Sequence, residues 1–155
     1  MNLRMTDIAA SLGIEQLKKL DEFNGKRVKN AHSYSNGLKK YKKYLTLPQT
    51  PKNFYHSFYG YPILLKENNK FSRKALVNHL EKRGIETRAF MGGDLSIQPA
   101  YRNTKCKKFH DMPNTSLMLK NAFFIGCHPF INEGQIEKVV NAFDEFFKTK
   151  KVNKK

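Results

Sequence analysis

The feature that most constrains this chain is a single apolar stripe near its C-terminal end. Ile136, Val139, Val140, Phe143 and Phe147 recur at i, i+3, i+4, i+7 and i+11, which puts all five on one side of an α-helix. Asn132 stands at the N-cap position with Gln135 three residues on, the spacing of a reciprocal capping box. A helix with one apolar side must bury that side against another layer, so the rest of the chain has to supply a sheet or further helices.

Upstream segments supply both. Tyr59, Tyr61, Ile63 and Leu65 alternate within Phe54 to Leu65, the two-residue period of a half-buried strand. Pro62 has no N–H for a ladder, so this strand is expected at an edge or with a bulge at that point. Ser72 is a suitable N-cap for a helix carrying Leu76 and Leu80 and stopping at Gly84. Ile85 to Phe90 reads as a second strand and Ala122 to Ile125 as a short buried one, with Asn114 capping a short helix between them. At the other end Ile8, Leu12, Leu17, Leu20 and Phe23 form an approximate stripe on a long helix. That helix continues through a break at Asn24-Gly25 to about Tyr44, and Pro48 and Pro51 then force an extended connection. The expected architecture is α/β, a three-stranded sheet covered by helices behind a long N-terminal helix. Residues 1–147 form one domain, 1–44 its helical linker region, 45–147 its core, and 148–155 a basic disordered tail.

Composition narrows the function classes. No apolar run approaches the ~18–20 residues of a membrane helix, and no long apolar leader follows Met1, so a cytoplasmic chain without a membrane partner is expected. The two cysteines, Cys106 and Cys127, lack metal or disulfide spacing, and Cys127 reads as a small buried apolar residue. No metal site is expected. A net charge of +16 raises the alternative of a basic nucleic-acid-binding module, with Lys40-Tyr41-Lys42-Lys43-Tyr44 as its interleaved aromatic stretch. The lysines gather in runs that solvated helix faces and ends also carry, so nucleic acid is not the expected partner. A non-catalytic interaction domain using the Ile8–Phe23 stripe is the other alternative. No nucleophile elbow, zinc-protease, P-loop or dinucleotide fingerprint occurs. His79 reads as a solvated helix residue and His56 as a structural strand residue.

Three stretches are unusual in combination. The first is Asn2 to Leu20, the second Gly84 to Leu95 running on to Gln98-Pro99-Ala100-Tyr101, the third Met112-Pro113-Asn114-Thr115 with Phe124 to Pro129. Asn2, Arg4, Met5, Thr6, Asp7, Gly13, Gln16, Leu17, Lys19 and Leu20 fall in register with one stretch of the DegT/StrS enzymes, and the resemblance runs over residues 2 to 147. It implies the small C-terminal domain of a fold-type I, pyridoxal-phosphate-dependent enzyme, usually a homodimer, acting on a nucleotide-linked sugar in deoxysugar or lipopolysaccharide biosynthesis. Most members are aminotransferases; one branch removes the C3 hydroxyl of a 4-keto-6-deoxyhexose with a histidine in place of the Schiff-base lysine. Phe90 to Leu95 with Gln98-Pro99 resembles this dehydrase branch and His128-Pro129 resembles the transaminases, so the branch stays open.

The resemblance also implies site residues. Asn2 matches an asparagine that reaches the cofactor phosphate of the neighbouring subunit, and Arg4 beside it either adds charge or holds the turn. Arg88, Gly92, Gly93, Asp94 and Tyr101 match the substrate-facing segment; Arg88 either pairs with a phosphate or makes a structural salt bridge. The Schiff-base position falls outside this chain, so no catalytic residue is assigned. The chain is expected to be inactive alone, to bind no pyridoxal phosphate by itself, and to need a large domain or a separate N-terminal polypeptide as partner.

Overall fold

A computed structural model describes residues 4–67, 70–90, 93–101, 103–105 and 112–152. Asn2, Gly92 and Cys106 lie outside them. The order is α1 (Asp7–Leu17), α2 (Leu20–Leu38), β1 (Leu45–Thr46), β2 (Gly60–Leu65), α3 (Arg73–Glu81), β3 (Thr87–Ala89), α4 (Pro113–Asn121), β4 (Ala122–Gly126) and α5 (Glu133–Val152). The sheet has four strands, not three, in the order β1-β2-β4-β3, and every pairing is antiparallel. The added strand, β1, is two residues long, too short to show the alternation by which strands are read from sequence.

Pro62 pairs with Phe124 on the β4 side, while β1 reaches only Leu65 and Leu64 on the other. Locally β2 is therefore an edge at Pro62, as a residue without an N–H requires. The strand starts at Gly60 rather than Phe54. Phe58 has φ +51°, and its N–H donates to His56 Nδ1 at 2.9 Å, so the chain turns before the ladder begins. His56 is thus a turn residue, not a strand residue. Tyr61, Ile63 and Leu65 share the buried face, but Tyr59 lies outside the strand and is 79% exposed.

The long N-terminal helix is two helices. They part at Lys18-Lys19, where Lys19 N–H donates to Gln16 O. Neither lysine carries a turn signature; Gly25, where the break was expected, lies inside α2 with open space around it. At the other end, α5 continues through Val152, past Lys148 where a disordered tail was expected. The α4 N-cap is Met112 without a side-chain bond, rather than Asn114; Pro113 takes the first helical position.

Caps on α3 and α5 match the sequence reading. Ser72 Oγ accepts from Ala75 N–H (3.2 Å). Asn132 and Gln135 exchange bonds of 3.0 and 2.9 Å. Helix α5 packs on α2 and α3, and together they cover Tyr61, Ile63, Leu65, Phe123 and Ile125 of the sheet. Phe147 sits at the centre of an aromatic cluster with Tyr41, Tyr44, Phe71 and Phe146, ring centroids 4.5 to 5.3 Å away. His79 is not solvated. It follows Leu76 by one turn, faces α5, bonds Ala142 O through Nε2 (2.8 Å) and meets the Phe146 ring.

Polar contacts hold α2 and the turn that follows it. Arg27 donates to the carbonyls of Phe58, Tyr59 and Cys127 at 3.2 to 3.4 Å, tying the helix to the loops before β2 and after β4. Removing the guanidinium leaves these carbonyls without their donor. Arg27→Ala is expected to cost about 2 kcal/mol, read as a lower urea midpoint together with faster amide exchange around Gly60.

At the other end of α2, Asp144 of α5 accepts from Lys40 Nζ and Tyr41 OH, both at 2.7 Å. Burial pushes the Asp144 carboxyl up, but those two hydrogen bonds and the Lys40 and Lys148 charges outweigh it and hold it below the usual aspartate range. A carboxylate depressed in the folded state stabilises above its unfolded pKa and loses that contribution as pH falls through the folded value. Stability should therefore decline on acidification below about pH 4. Asp144→Asn should flatten that decline and lower stability at pH 7, which thermal melts across pH would show.

Candidate functional site

Beyond Gly126, where β4 ends, the chain runs past Gly84 to Glu86 and leaves a cleft of about 430 Å³ at the end of the sheet. Arg27, Tyr59, Arg88, Phe124, His128 and Lys138 are among its lining residues. Each arrives from a different element. Arg88 is at the middle of β3, Phe124 in β4, Lys138 on α5, Arg27 on α2, and Tyr59 and His128 on the flanking loops. Gly60 permits this packing: a Cβ there would lie 2.5 Å from Phe124 Cδ2, so the ring can rest over the backbone beside Tyr59, at 6.3 Å between centroids.

The charge in the cleft is positive but partly engaged. Arg27 is held by its three carbonyls. Arg88 pairs with Glu86, and both side chains are exposed, so a stronger anion can displace that carboxylate at little cost. Lys138 lies open on α5. An exposed aromatic ring beside exposed cations can stack a planar ring and hold an anionic group. For proton transfer the cleft offers His128, whose Nδ1 accepts the Phe130 N–H at 3.3 Å, and it offers little for nucleophilic attack. Burial pushes the Cys127 thiol up to about 11, only partly offset by Arg27, so it is a neutral thiol at pH 7. Burial likewise pushes the Tyr34 and Tyr61 hydroxyls up to about 12. Among the described residues no group of three His, Cys, Asp or Glu side chains could hold a metal ion.

The remaining residues singled out by sequence lie elsewhere. Of the five described ones, Arg88 alone lines this cleft. Gly93 has φ +55°, and a Cβ there would meet Leu119 Cδ1 at 2.5 Å, so both conformation and space select glycine. Asp94 is buried and accepts from Ser96 N–H (2.9 Å) and Ser96 Oγ (2.5 Å), capping the 3-10 turn Leu95–Ile97. Tyr101 ends a second turn, Pro99–Tyr101, half-exposed near the uncovered Leu95 and Ile97. Arg4 is exposed, two residues before the Thr6 N-cap of α1.

Helix α1 is the other unusual feature. It contains no buried residue: its Ile8, Leu12, Ile14 and Leu17 are 57 to 77% exposed, and the flanking Met5 and Leu20 are exposed too. Ile8 and Leu17 are nine residues apart, about two and a half turns, and so project from opposite sides. A helix apolar on both sides belongs in an interior. Sequence pattern found the stripe through Ile8 and Leu12; it missed Arg27, Tyr59 and Lys138, whose partners are remote in the chain.

These features define a class: an α/β domain with an open, cation-lined cleft, no assembled catalytic set among its described residues, and an N-terminal helix with exposed apolar side chains on two sides. The chain belongs to the DegT/DnrJ/EryC1/StrS aminotransferase family, whose profile matches residues 1–144. It is 34% identical over 146 residues to the lipopolysaccharide biosynthesis protein RfbH of Salmonella typhimurium, covering 94% of this chain and 33% of that protein. It is 32% identical to a dTDP-4-dehydro-2,6-dideoxy-D-glucose 3-dehydratase of Saccharopolyspora spinosa, covering 94% of this chain and 31% of the other. The E. coli GDP-4-keto-6-deoxy-D-mannose-3-dehydratase, solved with hydrated pyridoxal phosphate, superposes with a TM-score of 0.81 at 28% identity, over 92% of this chain and 36% of that one. The chain thus spans about a third of the length of these relatives, and their family uses pyridoxal phosphate. Among the described residues no helix is long and apolar enough to cross a membrane.

The described residues do not fit that cofactor by themselves. Gripping its ring calls for a carboxylate at the pyridine nitrogen and a covalent or acid–base partner at the aldehyde. The cleft has one carboxylate, Glu86, already paired with Arg88, and its lysine, Lys138, lies open on the outside of α5.

Proposed function

We propose that this chain is the C-terminal domain of a pyridoxal-phosphate-dependent, nucleotide-sugar-modifying enzyme of deoxysugar or lipopolysaccharide biosynthesis, acting in the cytoplasm. It closes the active site against a large domain that holds the cofactor. The observation that carries this is α1, with apolar side chains on two sides and none buried. Such a helix stops being a liability only when protein packs around it, and the relatives are about three times longer than this chain. The large domain, in the same polypeptide or another, supplies that cover. A second subunit supplies the opposite side, as in a homodimer.

In this reading Asn2 and Arg4, just ahead of α1, reach the cofactor phosphate across the subunit boundary. Arg88, Gly92, Gly93, Asp94 and Tyr101 line the substrate side. Gly93 keeps backbone close to the ligand, Asp94 holds the segment's shape through Ser96, and Tyr101 presents its ring. The 3-dehydratase reaction is favoured over amino transfer by the identity to the Saccharopolyspora 3-dehydratase, and by the Phe90–Leu95 and Gln98-Pro99 resemblance.

The test is to join or supply the chain with the N-terminal two thirds of an RfbH-like relative. The expected result is a stable complex that retains pyridoxal phosphate through gel filtration and, with an amino donor supplied, releases the C3 hydroxyl of a 4-keto-6-deoxy nucleotide sugar as water. Amino transfer from glutamate instead would move the assignment to the other branch. Failure to associate, with no turnover of any keto-sugar nucleotide, would reject the reading.

A further inference from the structure

We propose that a second cleft, at the N-terminus of α3, binds a phosphoryl group. This goes beyond the function proposed above and does not depend on it. The cleft measures about 550 Å³ and lies between the end of β2, the first turn of α3 and the junction of α4 with β4. Its walls carry Lys66, whose Nζ donates to Lys42 O at 2.8 Å, and Arg73, Lys74 and Lys120, against the single carboxylate of Glu67. Glu67 stands 3.6 Å from Lys120, with both side chains largely exposed, an arrangement that a more highly charged anion displaces readily.

Helix geometry adds donors. Ser72 Oγ takes the Ala75 N–H and Ser72 O takes the Leu76 N–H. The first-turn N–H groups of Arg73 and Lys74 have no intrahelical acceptor, as in any α-helix, and no other acceptor among the described residues. N–H groups at this end of a helix favour an anion.

Asn121 is the independent observation. The residue is 8% exposed, it lines this cleft, and its side-chain amide makes no hydrogen bond with another described residue. None of its amide atoms is sealed from solvent. The amide therefore meets the outside through the cleft, where its NH₂ can donate to an oxyanion. Arg73 fixes the geometry by donating to Ala122 O, next to Asn121, at 3.2 Å, which brings the helix N-terminus and the amide to one cleft. Backbone N–H groups, an amide and ammonium groups arriving from several directions suit a tetrahedral, doubly charged phosphoryl group better than a planar carboxylate.

The experiment is a ¹⁵N NMR titration of the full chain at constant ionic strength, with inorganic phosphate in one arm and a nucleoside diphosphate in the other. The expected result is saturable shifts of the Arg73 and Lys74 amides and of the Asn121 side-chain NH₂. Tighter binding of the nucleoside diphosphate identifies a phosphate ester as the ligand; equal or tighter binding of inorganic phosphate identifies the free ion. Asn121→Asp, which places a carboxylate in the cleft, should weaken binding about tenfold or more, and the exposed pair Lys74→Gln/Lys120→Gln by several-fold. The control Lys39→Gln/Lys43→Gln should leave it unchanged. Shifts confined to the Arg88–Lys138 cleft, or equal affinity in the Lys74/Lys120 variant and its control, would overturn the assignment. Neither result would touch the proposed enzymatic role.

Discussion

Replacing Phe147 with alanine is expected to lower the stability of this domain by about 4 kcal/mol, the range for deleting a large aromatic side chain from a packed core. Phe147 has no exposed surface. Its ring contacts come from three separate segments: Tyr41 and Tyr44 after α2, Phe71 ahead of α3, and its own neighbours Phe143 and Phe146. No single neighbour can move into the space without abandoning its other contacts, so the cavity stays open. For a chain of this size the loss corresponds to a fall in Tm of roughly 12 °C and in urea midpoint of about 2 M. Phe147→Leu should recover more than half of it. A fall in Tm of only two or three degrees would show that the aromatic cluster is not the centre of the core.

The second large effect is on association rather than stability. Ile8 and Leu12 project from α1 into open space, so Ile8→Asp/Leu12→Asp should change the unfolding free energy of the isolated chain by no more than about 0.5 kcal/mol. In the complex with the large domain the same pair is expected to be enclosed. Two interfacial anchors at about 2 kcal/mol each correspond to a roughly thousandfold loss of affinity. The variant should fold, bind less of a hydrophobic dye, and fail to capture the large domain in a sedimentation or titration assay. If it captures that domain as well as the unmodified chain, α1 is not the docking element. A drop in the stability of the isolated chain would instead mean that α1 packs on its own domain.

The candidate site was legible in uneven measure. The residues carrying the resemblance form local strings, and local strings are what a sequence displays. Gly93 illustrates the gain from structure. Its positive φ and the Leu119 methyl that excludes a side chain supply a physical cause for a glycine that the sequence marks only as permissive. Asp94 illustrates the same: its carboxylate shapes a turn through Ser96. Arg27 was invisible because its acceptors lie 31, 32 and 100 residues away. Tyr59 was misplaced because alternation alone assigned it to the buried face of β2, whereas after the turn at Phe58 the strand begins only at Gly60.

By itself the sequence determined the periodic and local parts. The α5 stripe and its capping box, the Ser72 cap, the buried alternation from Tyr61 to Leu65 and the short β4 run each depend on neighbours within a few residues, where side-chain spacing and hydrogen-bonding capacity decide the outcome. Only the tertiary structure decided where α1 ends and α2 begins, that a two-residue strand joins the sheet, that His79 is packed rather than solvated, and that cations from five elements meet in two clefts. Apart from the α1–α2 break, which local hydrogen bonds mark, those outcomes arise from contacts between remote segments, and the spacing along a chain does not encode which remote segments will meet.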